Sequence, residues 1–407
     1  MVQHRKEIII ILVLYSIFGA VSLITLNAHI DERESHLPTV QNFYDNDIFT
    51  AIKGDGYKSA STPLPYLIVS VPLKIFKIKP TLFAARSFNI IISLITLFLF
   101  LHLCNGKKNS LLYPAIIILF YPYFLKPSFA FFMSIYGLMF FLFFIYMTEK
   151  RGNGNILLAG LSLAAAVLCQ QFYLIVFVFY AGYRLYKAYL DEDRTRSILS
   201  LLYFLLPFIL PLIVFLLWGG LVHPSYSAWG IGYSFINLTG VLVTLGAVLL
   251  PYMVFTIKEI KVPGLIISLI FSVLLVVFAF PIWINQPTVG GILGITFNFL
   301  DKVSAFSRVL AFILKTSFCF LGMGSFIVFY KKADDEKSWF LLLLYIITAI
   351  GFSINRLPSE RHMLPLIVTA YLFIFNQVNK EIILRYWLGY QAIIGSVYFY
   401  YIMFWYS

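Results

Sequence analysis

Between His29 and His36 the chain sets three carboxylates and two imidazoles within eight residues, His29-Ile30-Asp31-Glu32-Arg33-Glu34-Ser35-His36. A carboxylate partly withdrawn from water shifts toward the pKa needed to take a proton from an alcohol. The same residues also make an ordinary solvated loop start, and the segments that follow decide between the two. Leu37 to Phe49 predicts an amphipathic helix with Val40, Phe43, Tyr44 and Ile48 on one side. After the polar turn Lys53-Gly54-Asp55-Gly56, the stretch from Pro63 to Phe76 sets apolar residues beside Lys74, Lys77 and Lys79. That stretch is short for a membrane span and suits a helix lying in the interface. An acidic site flanked by two interfacial helices meets a lipid head group at its own depth.

The elements that must hold this loop follow from composition. Of 407 residues, 61% are hydrophobic and only 12% charged, where a soluble chain carries about 25% charged residues. Such a chain must turn most of its apolar surface to lipid or to other helices. The net charge of +12 is spread in short pieces between apolar runs, the pattern of topology-setting loops rather than of a nucleic-acid groove. Apolar runs near 8–26, 82–103, 110–126, 128–148, 155–171, 172–190, 198–218, 238–257, 263–283, 307–329, 338–354, 363–379 and 384–405 predict about thirteen transmembrane helices. The expected fold is all-α, a single polytopic membrane domain over 1–407. Residues 1–25, a basic start followed by a long apolar stretch, predict a retained first span rather than a cleaved signal.

Strict alternation puts Arg5-Lys6, Lys107-Lys108, Lys150-Arg151, Arg184 to Arg196, Lys258-Lys261, Lys331 to Lys337 and Lys380-Arg385 on one side, the cytoplasm by the positive-inside rule. The N-terminus is then cytoplasmic and the C-terminus extracytoplasmic. The outer side holds 27–81, 218–237, 284–306 and 355–361. These outer loops are long and mixed, which is where chemistry is expected.

Other residues carry weaker signals. Gln170-Gln171 ends a span on the outer side, where amides bond either sugar hydroxyls or another helix. Trp218-Gly219-Gly220-Leu221-Val222-His223-Pro224 forms an outer loop that either stacks on a sugar or anchors in the interface. Asp45-Asn46-Asp47 is the Asp-x-Asp pattern that holds divalent metal in some sugar transferases, but successive helix positions do not share a face. No metal site and no required cofactor are expected. Cys104, Cys169 and Cys319 lie in or beside apolar runs, with no pairing or zinc spacing.

Asp31-Glu32, His36-Leu37-Pro38, Tyr44, Thr62-Pro63-Leu64-Pro65-Tyr66, Lys74-Ile75-Phe76 and Ala84-Ala85-Arg86 together resemble the start of GT-C fold glycosyltransferases. The latter part of this pattern is similar to the bacterial lipid A aminoarabinose transferases, the earlier part to the dolichyl-phosphate-glucose glucosyltransferase family. That family has two residues between its acidic pair and its His; here Arg33, Glu34 and Ser35 intervene, so Asp31-Glu32 and Glu34 compete for the matching place. Asn355-Arg356-Leu357-Pro358-Ser359-Glu360-Arg361-His362-Met363-Leu364-Pro365 is similar to the Glu-Arg-Tyr-x-x-Pro region near the end of many GT-C proteins, with His362 where Tyr is common. The resemblance implies transfer of a hexose or related sugar from a polyprenyl-phosphate donor to a glycan, lipid or protein acceptor on the outer face of a prokaryotic inner membrane.

Such a transfer needs one base, positioning, and positive charge for the departing phosphate. Asp31 is the first choice as base, with Glu32 and Glu34 as rivals. The substrate-binding positions implied are His36, Tyr44, Tyr66, Gln170, His223, Arg356, Arg361 and His362, the two arginines matching a lipid phosphate bidentately. The competing class is a lipid or glycan transporter or flippase, which places ionisable residues at mid-membrane; the sequence puts nearly all carboxylates outside the spans, with no relay inside them. A scaffold subunit with a degenerate site is a third reading.

Overall fold

A chain in lipid has no water to bond its backbone, so helix, which bonds every N–H within the segment, is the form an apolar run takes. The structure is a computed structural model that describes residues 4–25, 29–104, 110–150, 152–229, 235–285, 292–354, 360–377 and 381–404. All regular elements among them are helical. In chain order they are α1 (Arg5–Thr25), α2 (Leu37–Asp45), α3 (Ile48–Lys53), α4 (Leu64–Ile75), α5 (Leu82–Leu103), α6 (Leu112–Leu119), α7 (Pro122–Phe129), α8 (Ser134–Thr148), α9 (Asn153–Val167) and α10 (Leu174–Leu190). They continue with α11 (Arg194–Leu205), α12 (Ile209–Trp218), α13 (Phe235–Val248), α14 (Leu250–Thr256), α15 (Val262–Asn285), α16 (Ile292–Val303), α17 (Ala305–Lys332), α18 (Glu336–Ile354), α19 (Leu364–Gln377) and α20 (Glu381–Phe404). The chain forms two compact units, one of residues 1–105, 110–230 and 395–407, the other of 106–109 and 231–394.

Among the described residues, six segments are long and apolar enough to cross a membrane: Lys6–Leu23, Leu82–Leu103, Arg194–Trp218, Val262–Ala279, Ala305–Lys332 and Glu336–Ile354. Two more pairs pass together but bend, α6 with α7 by 74° and Ile236–Val248 with Leu250–Glu259 by 77°. The protein is therefore an all-helical integral membrane protein. The run expected over 110–126 is not one straight helix. It stops at Leu119 and turns sharply at Tyr121, because Pro122 has no N–H with which to continue the ladder. Pro251 marks the second bend in the same way, just inside α14. In the run expected over 128–148 the first two residues close α7, and helix resumes only at Ser134. Counting apolar residues locates runs; it does not locate the breaks within them.

The first unit is built inside out. On α5 the buried polar residues Arg86, Asn89, Ser93 and Thr96 recur at heptad spacing, while Phe83, Ile91 and Ile95 are exposed on the other side. An apolar outer face and a polar inner seam are what lipid as a solvent selects. The Tyr15 hydroxyl of α1 donates to the Ile90 carbonyl at 3.0 Å, which sets the two helices side by side.

In the second unit α13 and α17 cross at van der Waals limit. A Cβ on Gly246 would stand 1.8 Å from the Phe318 carbonyl oxygen, and one on Gly322 would stand 2.1 Å from that of Leu242. Glycine at both places is what admits so close an approach. This unit also holds a buried ion pair. Asp301 is on α16 rather than in a loop, and its Oδ2 accepts from Lys315 Nζ of α17 at 2.7 Å with both side chains 2% exposed. The lysine stem reaches toward its own helix N-terminus, as helical side chains do. Its ammonium also lies 5.4 Å from the Phe297 ring centre.

Candidate functional site

The first loop leaves α1 and enters α2 through one wide turn, Glu32–His36, closed by a bond from the Leu37 N–H to the Glu32 carbonyl. Five residues span this turn, one more than an α-helix uses, and such π-type turns are frequent at functional sites. The extra residue rotates successive side chains into different surroundings. Glu32 points into the bundle at 0% exposure and His36 is buried, whereas Arg33 and Glu34 are exposed and Asp31 is half-buried.

Glu32 is held from four directions. Arg86 of α5 donates from Nε to Oε1 at 3.0 Å and from Nη2 to Oε2 at 2.8 Å. The Phe131 backbone N–H donates to Oε1 at 2.6 Å, and the His29 backbone N–H to Oε2 at 2.9 Å. Burial pushes this carboxyl up, but the Arg86 bonds and charge, with the two backbone donors, outweigh it and hold the group below the usual carboxylate range. Bidentate guanidinium pairing is the geometry that makes a buried carboxylate tolerable.

The Phe131 donor is available because α7 is broken. Ala130 is extended, with φ −99° and ψ 155°, so the residues from Ala130 to Met133 leave the helical ladder between α7 and α8. Asn89, one turn beyond Arg86 on α5, lies with Nδ2 at 3.0 Å from the Pro127 carbonyl, 2.7 Å from that of Ala130 and 3.1 Å from that of Phe132. One amide thus serves three carbonyls around the break. The same face of α5 fixes both the carboxylate and the peptide that caps it.

Asp31 is half-buried at the start of the turn. Its backbone N–H donates to His29 Nδ1 at 3.1 Å, and its Oδ2 lies 3.6 Å from that nitrogen, with a third of the side chain (33%) exposed. His36 contacts the Tyr66 hydroxyl through Nδ1 at 2.9 Å, and Tyr66 donates on to Ser59 Oγ at 2.5 Å. Tyr44 is half-buried on α2. Lys126, near the end of α7, sets its ammonium 5.0 Å from the Phe132 ring centre. That ring in turn lies 5.3 Å from His29 and 5.7 Å from His36.

The loop is tied down along its length. Thr62 Oγ1 donates to the Val167 carbonyl at 2.8 Å, the Leu64 N–H to that of Leu168 at 2.9 Å, and Gln171 Nε2 to that of Ala60 at 3.0 Å. Gln170 is buried beside this junction, with its Oε1 3.4 Å from where a Cβ on Gly137 would stand. Trp218 donates from its indole to the Ile52 carbonyl at 3.0 Å. His223 is buried and stacked on Tyr57 at 5.2 Å and 24°, edge-on to Trp218 at 5.8 Å. Burial pushes its imidazole below the usual range against the opposing pulls of the Lys53 carbonyl and Asp55. This packing makes His223 an anchor of the first loop.

Of the Asp-x-Asp pattern, Asp45 accepts from Gln41 at 2.8 Å, and Asp47 caps α3 by accepting from the Thr50 N–H at 3.0 Å and its hydroxyl at 2.5 Å. Both carboxylates serve helix ends, an ordinary use of Asp. Arg356 lies outside the described residues, as does the side chain of Arg361. His362 is half-buried in the short turn Glu360–Met363 of the second unit. The site thus brings together Asp31, Glu32, His36 and Tyr66 and leaves Glu34 outside on the surface. Sequence reasoning gave no role to Arg86, Asn89 or Lys126. The available signal was an arginine and an asparagine four and seven residues into an apolar run, where polar side chains face the bundle interior by default.

No protein-family model matches the chain, and no curated protein matches it. Among solved structures it is similar to ArnT from Cupriavidus metallidurans in the apo state, at 10% identity and a TM-score of 0.43, covering 97% of this chain and 77% of that one. It is also similar to ArnT from the same organism bound to undecaprenyl phosphate, at 10% identity and a TM-score of 0.47, covering 98% of this chain and 76% of that one.

Proposed function

We propose that this protein is a membrane glycosyltransferase that moves a hexose or related sugar from a polyprenyl-phosphate donor to an extracytoplasmic acceptor, with Asp31 as the base. The observation that carries the reading is the unequal treatment of neighbouring carboxylates. Glu32 has both oxygens committed to Arg86 and two backbone donors. Glu34 is exposed on the surface, away from the other two. Asp31 alone of the three is half-buried, with a third of its side chain exposed, and it adjoins the fixed Glu32. The GT-C-like motif of the first loop supports the donor class, and the three lysines at the end of α4 suit the depth of a lipid head group.

In the proposed step the acceptor oxygen attacks the anomeric carbon while its proton passes to Asp31. The bond from that carbon to the phosphate oxygen breaks, and its electron pair leaves with the lipid phosphate. His36 and Tyr66 hold the floor beside the base through their shared hydrogen bond. Glu32 and Arg86 are positioning residues.

The test is transfer from a polyprenyl-phosphate sugar by the purified chain in lipid. Asp31→Asn is expected to lower the rate at least about 100-fold, the span of one general base, while Glu34→Gln stays within a few-fold of the parent. Full transfer by Asp31→Asn, with correct insertion, overturns the reading.

A further inference from the structure

The connection from α4 to α5 holds Lys77, the only non-glycine residue with a left-handed backbone among the described residues, at φ 56°. The bonds around it make a Schellman stop. The Ile78 N–H donates to the Leu73 carbonyl at 2.9 Å, and the Lys77 N–H to that of Lys74 at 3.2 Å. Such a stop needs a left-handed residue at its centre, which glycine supplies freely and a longer side chain only under strain. Strain that glycine would relieve points to a use for the side chain. The turn is also fixed at both ends. Lys74 Nζ donates to the Asn46 carbonyl at 3.1 Å, and Thr81 caps α5 by accepting from the Ala84 N–H at 3.2 Å.

The helices on either side place this turn. α4 has 12 residues, about 18 Å, too short for the roughly 30 Å of a bilayer core. α5 is a full span of 22 residues that begins at Leu82, so the turn before it lies at the boundary of lipid and water. There Ile75, Phe76, Ile78 and Phe83 are exposed, interleaved with exposed Lys77 and Lys79. Apolar side chains beside ammoniums on one turn match a membrane surface, acyl chains below and head groups above. No acidic residue occurs in the sequence between Asp55 and Glu149. Asp45 and Asp47, at the junction that Lys74 reaches, are taken up by Gln41 and Thr50. Among the described residues neither Lys77 nor Lys79 pairs with a carboxylate.

We propose that the turn Ile75–Lys79 docks anionic phospholipid: Ile75, Phe76 and Ile78 enter the acyl layer, and the Lys77 and Lys79 ammoniums bind head-group phosphate. The occupant is a lipid of the surrounding bilayer rather than the sugar donor. The rise of α4 puts Lys77 roughly 16 Å along the helix from Tyr66, the residue that contacts His36 beside the acidic turn. A phosphate at Lys77 is thus one helix length from the floor of the candidate site. Docked lipid holds the far end of the helix whose start makes that floor. The assignment stands on the membrane fold and is independent of the sugar-transfer reading.

The experiment places the purified full-length protein in bilayer discs with photoactivatable phosphatidylglycerol or phosphatidylcholine of the same acyl chains. Label on residues 74–83 is then measured by peptide mass spectrometry. The parent is expected to take more label from phosphatidylglycerol, by about 5-fold for each of the two lysines. The Lys77→Gln, Lys79→Gln double variant should take label equally from both lipids. Lys77→Gly should lose about 5-fold of the preference yet melt no lower than the parent, since glycine relieves the backbone. Equal labelling of the parent by both lipids, or an undiminished preference in the double variant, overturns the assignment. If Lys77→Gly melts below the parent, the lysine is structural and the assignment also falls. Photoactivatable undecaprenyl phosphate that labels this segment ahead of phosphatidylglycerol would make the turn a seat for polyprenyl lipid and overturn the choice of occupant.

Discussion

At the scale of single residues, the pair Glu32–Arg86 shows how a buried charge is used to place an unburied one. Two ions at 0% and 4% side-chain exposure gain little net stability over an apolar pair, because desolvation offsets their attraction. Breaking the pair is another matter. Arg86→Met leaves Glu32 charged and buried with only backbone donors, and should cost about 3–5 kcal/mol; a second change, Glu32→Met, should restore most of it. Acid works in the same direction as the single change. Glu32 is held below its ordinary value of 4.5, so its contribution is complete above that value and is lost as pH falls through the lower, folded one. Unfolding in detergent, followed from pH 7 down to pH 3, should show this acid loss in the parent and not in the Arg86→Met, Glu32→Met double variant. A double variant as acid-sensitive as the parent would remove Glu32 from the account.

At the scale of elements, the informative piece is the break between α7 and α8. A straight helix through residues 130–133 would tie up the Phe131 N–H in its own ladder and leave Glu32 without that donor. The break costs backbone bonds, and Asn89 replaces them with a single side chain. Asn89→Leu keeps the volume but takes away the side-chain donor that these buried carbonyls share. It should destabilise the protein by about 2–4 kcal/mol and slow sugar transfer as the Phe131 peptide loses its aim. Transfer and melting unchanged in Asn89→Leu would show that the break holds itself.

The first helix of the loop was legible in sequence because amphipathic pattern and Pro positions are local signals: α2 covers the expected helix from Leu37 as far as Asp45, but Asn46 ends it and Asp47 caps a second helix, α3, that runs past Phe49 to Lys53. The acid cluster was legible for the same reason. Its internal ranking was not, because Arg86 lies 54 residues from Glu32 and the Phe131 donor 99. Only the fold joins such distances.

At the scale of the whole molecule, the side of the membrane on which each loop lies depends on the two bent pairs. The positive-inside pattern assumes that α6–α7 crosses once and that α13–α14 crosses once. A pair bent by 74° or 77° that dips in and returns would reverse every later loop. Three exposed carboxylates divide the possibilities: Glu34 in the first loop, Glu192 after α10 and Glu336 at the start of α18. The native cysteines are all buried, so background reaction is low. In intact bacteria expressing the chain, a membrane-impermeant maleimide should label Glu34→Cys, and should reach Glu192→Cys and Glu336→Cys only after permeabilisation. Labelling of Glu192→Cys from outside would make α6–α7 a re-entrant hairpin, and labelling of Glu336→Cys alone would make α13–α14 one. Only the first outcome would change the chemistry, since α8 begins beyond the break that braces Glu32, and a hairpin there would enter the membrane from the cytoplasmic side, opposite the face that carries the base.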